Sequence, residues 1–369
     1  MMTSVDSISI QRVGKSRLTE TDFNNLEFGK YISDHMLVAD WNNGAWSEPS
    51  IVPFGDIKIT PASMALHYGQ SVFEGMKAFK MRDDKISIFR IKKHHERLNK
   101  SLDRMCMPQV PLEMFAHCLR ALVDVDREWI PRSEGASLYL RPLVFASESR
   151  LGVKVADQYK FVILTSPAGP FHVKSFKLKV EDRFVRTAEG GTGFAKCAGN
   201  YGGAFYPLQA AKSEGFDQVL WTDHKEHRYV DEAGMMNVFF VLNGQLVTPQ
   251  LNSAILDGVT RDCVLTLARA AGIPVEERKI SLDELKAGFK NKTLTEAFVA
   301  GTAAAVVPIS MIHIHGENYQ FPAVSDQSVQ LMMKQNLFDI RTGVIPDEYG
   351  WNYVFAPEQA AAHRPNLRF

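Results

Sequence analysis

Two runs dense in β-branched, aromatic and aliphatic residues, Ser137–Phe145 and Tyr159–Thr165, constrain the fold of this chain most strongly. They read as central strands of one sheet. Before them, Val110–Ile130 places Leu112, Phe115, Leu119, Leu122 and Val123 at helical spacing behind Pro111, a residue suited to a first helical turn. After them, Asn237–Leu242 and Gln245–Thr248 flank Asn243-Gly244, which supplies the positive φ angles of a two-residue hairpin turn. Thr260–Ala271 reads as a helix stopped by Gly272 with Pro274 beyond, and Thr295–Ala300 as an apolar strand. Strands and helices alternate without repeats, so the fold class is mixed α/β.

At 369 residues the chain is long for one core and suggests two domains. Ser166–Ser175 carries two prolines and a glycine after a strand, the best candidate for a linker. The expected division is therefore 1–165, a linker at 166–175, and 176–369. Residues 1–25 are polar and aperiodic, which predicts a mobile or loosely packed arm, and the tail after Pro357 should be peripheral.

Forty-two acidic and 42 basic residues leave no net charge to favour nucleic acid or an anionic membrane surface. A small, locally placed charged ligand is the better expectation. Cys106, Cys118, Cys197 and Cys263 lack metal or disulfide spacing, and His313 with His315 lacks a carboxylate or thiolate companion, so no metal is expected. A reducing, cytoplasmic setting follows most simply. No run approaches the roughly 18 apolar residues of a membrane span.

One lysine stands out, Lys196, within E-G-G-T-G-F-A-K-C-A-G-N-Y at 189–201. Glycines admit turns closed to other residues and let a bulky ligand approach. A phosphate-cradling loop needs Gly before Lys and Ser or Thr after it, whereas Ala195 and Cys197 stand there. The dinucleotide pattern G-x-G-x-x-G starts at Gly191 and Gly193 but meets Lys196 at its third glycine. Two readings remain open on the loop alone: a solvated surface lysine, or an amine that forms a Schiff base once it has lost its proton.

Other segments supply what pyridoxal phosphate requires besides a Schiff-base lysine: a phenolic donor, an acid for the ring nitrogen and a phosphate cup. Tyr201 could be the donor or a packed aromatic. Glu232 and Asp231, expected at a turn before the hairpin, could pair with the ring nitrogen or be solvated loop acids. Gly258, Val259 and Thr260 lead into a helix whose N–H groups could hold phosphate, although Thr260 could equally be an N-cap. Gly301-Thr302-Ala303 offers a second wall. Arg97, in K-K-H-H-E-R-L, reads as a solvated arginine of an amphipathic helix, and the paired histidines 94/95 and 224/227 as surface residues. Arg141 interrupts an apolar strand and would need an anionic partner, such as a substrate carboxylate.

With these segments assembled, the chain resembles the fold-type IV pyridoxal-phosphate enzymes and, among them, the branched-chain amino-acid aminotransferases. The motifs, spread over about residues 30–350, include A-L-H-Y-G-Q-S-V-F-E-G-M-K-A-F at 65–79, L-Y-L-R-P at 138–142, the Lys196 loop, D-E-A-G-M-M-N-V-F at 231–239, I-L-D-G-V-T-R-D at 255–262 and G-T-A at 301–303. The resemblance implies a smaller N-terminal α/β domain and a larger C-terminal pseudo-barrel domain that binds pyridoxal 5'-phosphate.

It further implies that Lys196 carries the internal aldimine, Tyr201 contacts the phenolic oxygen and Glu232 the ring nitrogen. Arg97, Gly258, Val259, Thr260 and Thr302 would hold the phosphate. Tyr68, Phe73 and Tyr139 would line the substrate pocket, with Tyr139 and the backbone of Thr302 and Ala303 receiving the α-carboxylate, and Arg141 the distal carboxylate of glutamate or 2-oxoglutarate. Leu151 and Val153 would enter the site of a partner subunit in a homodimer. The activity implied is ping-pong transamination of leucine, isoleucine and valine with 2-oxoglutarate. D-amino-acid transamination or aminodeoxychorismate lyase chemistry are rivals on the same frame, and a nucleotide-binding protein is a rival from another class. Two positions depart from better-known animal members: Met235 replaces a threonine, and a C-x-x-C after G-T-A is absent around Ala304–Val307, which predicts no thiol switch there.

Overall fold

The structure, a computed structural model, describes residues 8–170 and 173–357. Two large sheets organise it. The first contains ten strands, with Ser137–Ala146 and Tyr159–Ala168 paired antiparallel along their full length at its centre. His35–Asn42 flanks one side of this pair, and Met76–Lys80 and Ile86–Phe89 extend the other. The central strands bury most of their residues and leave none exposed, since helices Ile91–Arg104 and Leu112–Val125 pack their apolar stripes over the sheet.

The second sheet has nine strands. Its hairpin Asn237–Leu242/Gln245–Thr248 turns at Asn243 and Gly244 with φ of 53° and 76°, as the Asn-Gly pair requires. Leu294–Gly301 pairs with the hairpin's first strand, and Ala305–Ile314 follows it. Helix Val259–Ala270 packs on this sheet and ends before Gly272, whose φ is +73°.

Three features of the domain organisation differ from the sequence expectation. Residues 166–168, expected to open the linker, complete a central strand because their backbone pairs with 137–139. The chain also returns late to the first sheet: Asn352–Phe355 pairs with Ile86–Phe89, so the second body does not keep everything after 175. Third, residues 8–25 are not a loose arm. Val13 N donates to His35 Nε2 at 3.1 Å and Arg17 N to Asp34 at 3.0 Å, while Ser9–Ile10 pairs with Ser50–Ile51. Residues 1–7, part of the linker and the tail after Pro357 lie outside the described residues. Among those described, no helix is long and apolar enough to cross a membrane.

Candidate active site

Lys196 sits where the two bodies meet, its backbone clamped by the first. Its N–H donates to Ser101 Oγ at 2.9 Å and its carbonyl accepts from Phe73 N at 3.1 Å. Val72 and Cys197 form a bridge beside it. With the main chain so held, the side chain projects into a cavity that Arg97, Glu232 and Thr260 also line, and Nζ lies 3.0 Å from Tyr201 Oη. Tyr201 belongs to a short helical turn, Gly199–Gly202, and its ring lies 5.0 Å from that of Phe73. Gly193 has a role other than admitting a ligand. A Cβ there would stand 2.4 Å from Ala254 O, so the missing side chain lets the lysine loop touch the 253–254 backbone.

Glu232 lines the same cavity from within strand Val230–Ala233, not from a turn ahead of the hairpin as the sequence suggested. Side chains alternate along a strand, and the adjacent acid therefore leaves the site. Asp231 lines a separate cavity with Asp223 and Lys279, where burial, with Glu232 and Asp223 adding, pushes its carboxyl up to about 7. Glu232 is buried and engaged on both oxygens: Asn237 Nδ2 donates to Oε1 at 3.0 Å and Arg186 Nη2 pairs with Oε2 at 2.5 Å. Burial raises its pKa, and Arg186 is the largest influence opposing that rise.

The other end of the cavity inverts this arrangement. Arg97 is buried, not the solvated helix arginine that its charged neighbours suggested, and so is His94. Both lie on the inward stripe of helix Ile91–Arg104. Arg97 binds Glu74 through Nε and Nη2 at 2.7 and 2.8 Å, and His94 Nδ1 lies 2.8 Å from the same carboxylate. Burial would raise the fully enclosed Glu74, but Arg97 and His94 outweigh it and hold the carboxyl far below its usual range. Arg97 Nη1 reaches Asp257 O at 3.0 Å, which ties it to the loop before helix Val259–Ala270.

Gly258 is the N-cap of that helix, with Val259 its first residue and Thr260 inside it; Thr260 is thus not the cap. The first N–H groups of a helix have no intrahelical partners and carry partial positive charge. Here they border the cavity beside Arg97. A Cβ on Gly258 would come within 1.9 Å of Asn237 Oδ1, so the residue that braces Glu232 also fixes the helix entrance.

The third wall comes from Thr302, Ala303 and Tyr139. Lys77, opposite Tyr139 in the strand pairing, donates to Ala303 O at 3.0 Å; burial, with Arg341 adding, pushes this lysine down to about 7. Arg141 shares the face of Tyr139 two residues on, donates to its hydroxyl at 3.0 Å and lies 4.7 Å over the Phe73 ring. Its Nε is buried without a hydrogen-bond partner among the described residues.

Tyr68 does not join this wall. Its hydroxyl bonds Leu151 O, which groups it with Leu151 and Val153 on a surface where those two side chains are 67% and 82% exposed. Residues not singled out in the sequence complete the site. Glu74 is a charge set directly between Phe73 and Gly75, a signal like the one that identified Arg141, whereas Arg186 stands among Asp182, Arg183 and Glu189 and carries no such signal. Asn237 lay unremarked inside a recognised motif. Phe28, beyond the supposed arm, packs edge-on to Tyr139 at 4.9 Å.

The donor set suits pyridoxal phosphate: an amine beside a phenol at the centre, a buried carboxylate at one end, and an arginine with a helix N-terminus at the other. The Gly258 contact shows that the entrance tolerates no side chain.

Comparison with known proteins agrees. The amino-transferase class IV family matches residues 71–312. Branched-chain-amino-acid aminotransferase 2 of Bacillus subtilis is 42% identical over 89% of this chain and 92% of its own length. A probable branched-chain-amino-acid aminotransferase of Staphylococcus aureus is 44% identical over 89% and 93%. Among solved structures, the branched-chain amino acid aminotransferase of Escherichia coli is 26% identical with a TM-score of 0.71, covering 85% of this chain and 98% of that one. The branched-chain amino acid aminotransferase of Thermoproteus uzoniensis, a thermophilic archaeon, solved with norvaline, is 25% identical with a TM-score of 0.71 over 86% and 98%. A further branched-chain amino acid aminotransferase, solved with pyridoxamine 5'-phosphate, is 28% identical with the same TM-score over 85% and 97%.

Proposed function

Because the chain belongs to the class IV aminotransferases and, among them, to the branched-chain-amino-acid aminotransferases, we propose that it exchanges amino groups between branched-chain L-amino acids and 2-oxoglutarate. The observation that carries this reading is the convergence of Lys196, Glu232, Arg97 and the entrance of helix Val259–Ala270 on one cavity. Bound pyridoxal 5'-phosphate supplies an aldehyde that condenses with amines and a ring that stores the electron pair released at the substrate's Cα.

The residues divide the remaining work. Arg97, with the N–H groups of Val259 and Thr260 and the hydroxyls of Thr260 and Thr302, would bind the phosphate. Glu232 accepts the ring N–H. Lys196, with its amine free, would take the proton from the substrate's Cα and hand it to the cofactor's C4′, two bonds away across the nitrogen. Tyr201 holds Lys196 Nζ and donates to the phenolic oxygen. The α-carboxylate is received by Tyr139 and the backbone at 302–303. Arg141 has an unpaired buried donor to offer the distal carboxylate of glutamate, while Phe73 keeps the surrounding wall apolar. Such a division lets both substrates use one pocket in a ping-pong cycle.

Leu151, Val153 and Tyr68 form an exposed patch, and the reading assigns them to a partner's site in a homodimer. A reducing, cytoplasmic setting goes with it.

The test is a panel of L- and D-amino acids against 2-oxoglutarate. Turnover of L-leucine, L-isoleucine and L-valine is expected; preference for D-enantiomers would replace the reading with its nearest rival. Lys196→Ala should remove turnover and the borohydride-reducible link to the cofactor, and normal transamination by that variant would sink the assignment.

A further inference from the structure

Arg186 does not line the cavity, yet its guanidinium is nearly as buried as the acid it touches. The side chains of Arg186 and Glu232 are 8% and 3% exposed. Besides Oε2 of Glu232, Arg186 Nη2 reaches the carbonyls of Ala254 at 2.5 Å and Gly193 at 3.4 Å. Gly193 lies three residues before Lys196, so one side chain braces both the acid and the lysine loop.

Arginine keeps its proton in proteins, so a neutral Glu232 would leave a buried guanidinium uncompensated. The other charged groups acting on Glu232 are Lys196 and Arg261, with Asp231 beside it on the strand. Arg261 has its own carboxylate, Glu277, at 2.8 Å, and Lys196 rests on Tyr201. Arg186 is therefore the cation that directly compensates this acid.

We propose that Arg186 is a positioning residue that acts through Glu232: it supplies the counter-charge that presents Glu232 as a fixed carboxylate before the cofactor's ring nitrogen arrives. The proposal rests on the pyridoxal-phosphate reading above and extends it to a residue outside the cavity wall. Its consequence concerns protons. Where the free cofactor's ring nitrogen is protonated, a carboxylate already ionised accepts that N–H without releasing a proton. A Glu232 that has lost Arg186 takes up a proton in the apoprotein and must shed it on binding.

Calorimetric titration of the apoprotein with pyridoxal phosphate, in buffers of different ionisation enthalpy, counts the protons exchanged. Arg186→Met should release about one more proton per cofactor than the wild type, by linkage. Arg186→Lys should restore the wild-type count. In a Glu232→Gln background, Arg186→Met should leave the count unchanged, and that double variant removes both buried charges together, which protects folding. Equal proton release by wild type and Arg186→Met would overturn the proposal. So would the same change in both backgrounds, which would reduce Arg186 to a brace for the Ala254 and Gly193 carbonyls. A wild-type apoprotein that bound no pyridoxal phosphate would instead remove the cofactor reading, and this inference with it.

Discussion

The two ends of the cavity are built from the same chemical pair in opposite order. At one end Arg97 faces inward and Glu74 stands behind it; at the other Glu232 faces inward and Arg186 stands behind. Each backing residue balances a buried charge that would otherwise be expensive. Order alone decides what each end attracts: an arginine in front favours an anion, and a carboxylate in front favours a protonated nitrogen. The backing differs in strength as well. Glu74 is held by Arg97 and His94 together, whereas Glu232 is opposed mainly by Arg186.

The largest effect should come from breaking the more heavily braced end. Glu74→Ala leaves Arg97 buried without its carboxylate, and losing one partner of a buried pair costs about 3–5 kcal/mol. Urea unfolding of the apoprotein measures this; a change comparable to that of an exposed ion pair would deny Glu74 its place in the design. Next comes the residue linking the ends. Gly258→Ala drives a methyl into Asn237 Oδ1, and the forced shift should cost about 1–3 kcal/mol, with weaker cofactor binding in direct titration.

A subtler contrast lies in pH. Glu74 has a depressed folded pKa, so its contribution to stability is present above its ordinary value and is lost as pH falls through the folded one. Glu232 has a raised folded pKa, so its contribution is complete below its ordinary value and is lost as pH rises through the folded one. The stability difference between wild type and Glu74→Gln should therefore grow with pH, while that between wild type and Glu232→Gln should shrink. Slopes of the same sign would erase the contrast between the ends. The smallest effect is expected at the third wall. Tyr139→Phe removes one hydrogen bond to Arg141, worth about 0.5–1.5 kcal/mol, and should raise KM for the amino acid several-fold with little change in Tm.

Legibility from sequence followed the range of the interaction. The central strands, the Asn-Gly hairpin and the helix ended by Gly272 were readable because periodicity and turn chemistry act within a few residues. The motifs also placed Lys196, Tyr201, Glu232 and the Val259–Thr260 entrance. The burial of Arg97 and His94 was not readable from charge pattern. Helix Ile91–Arg104 is rich in charge, and only the position of Glu74, some 20 residues away, tells which of its charges face inward. The misplaced turn at Glu232 has a similar origin. An Asp-Glu pair usually signals a loop, but strand pairing buries one acid and sends its neighbour to another cavity.

The sequence by itself determined the local elements, the identity of the chemical groups and, through ordered motifs, the family to which they belong. Tertiary structure decided which charges stand in front and which behind. It paired Glu74 with Arg97 and Arg186 with Glu232 across 23 and 46 residues of chain. It also moved Tyr68 from the cavity wall to the exposed patch of Leu151. The reason is physical: the energy of a buried charge depends on partners brought together by packing, and no local pattern encodes where a distant partner comes to rest.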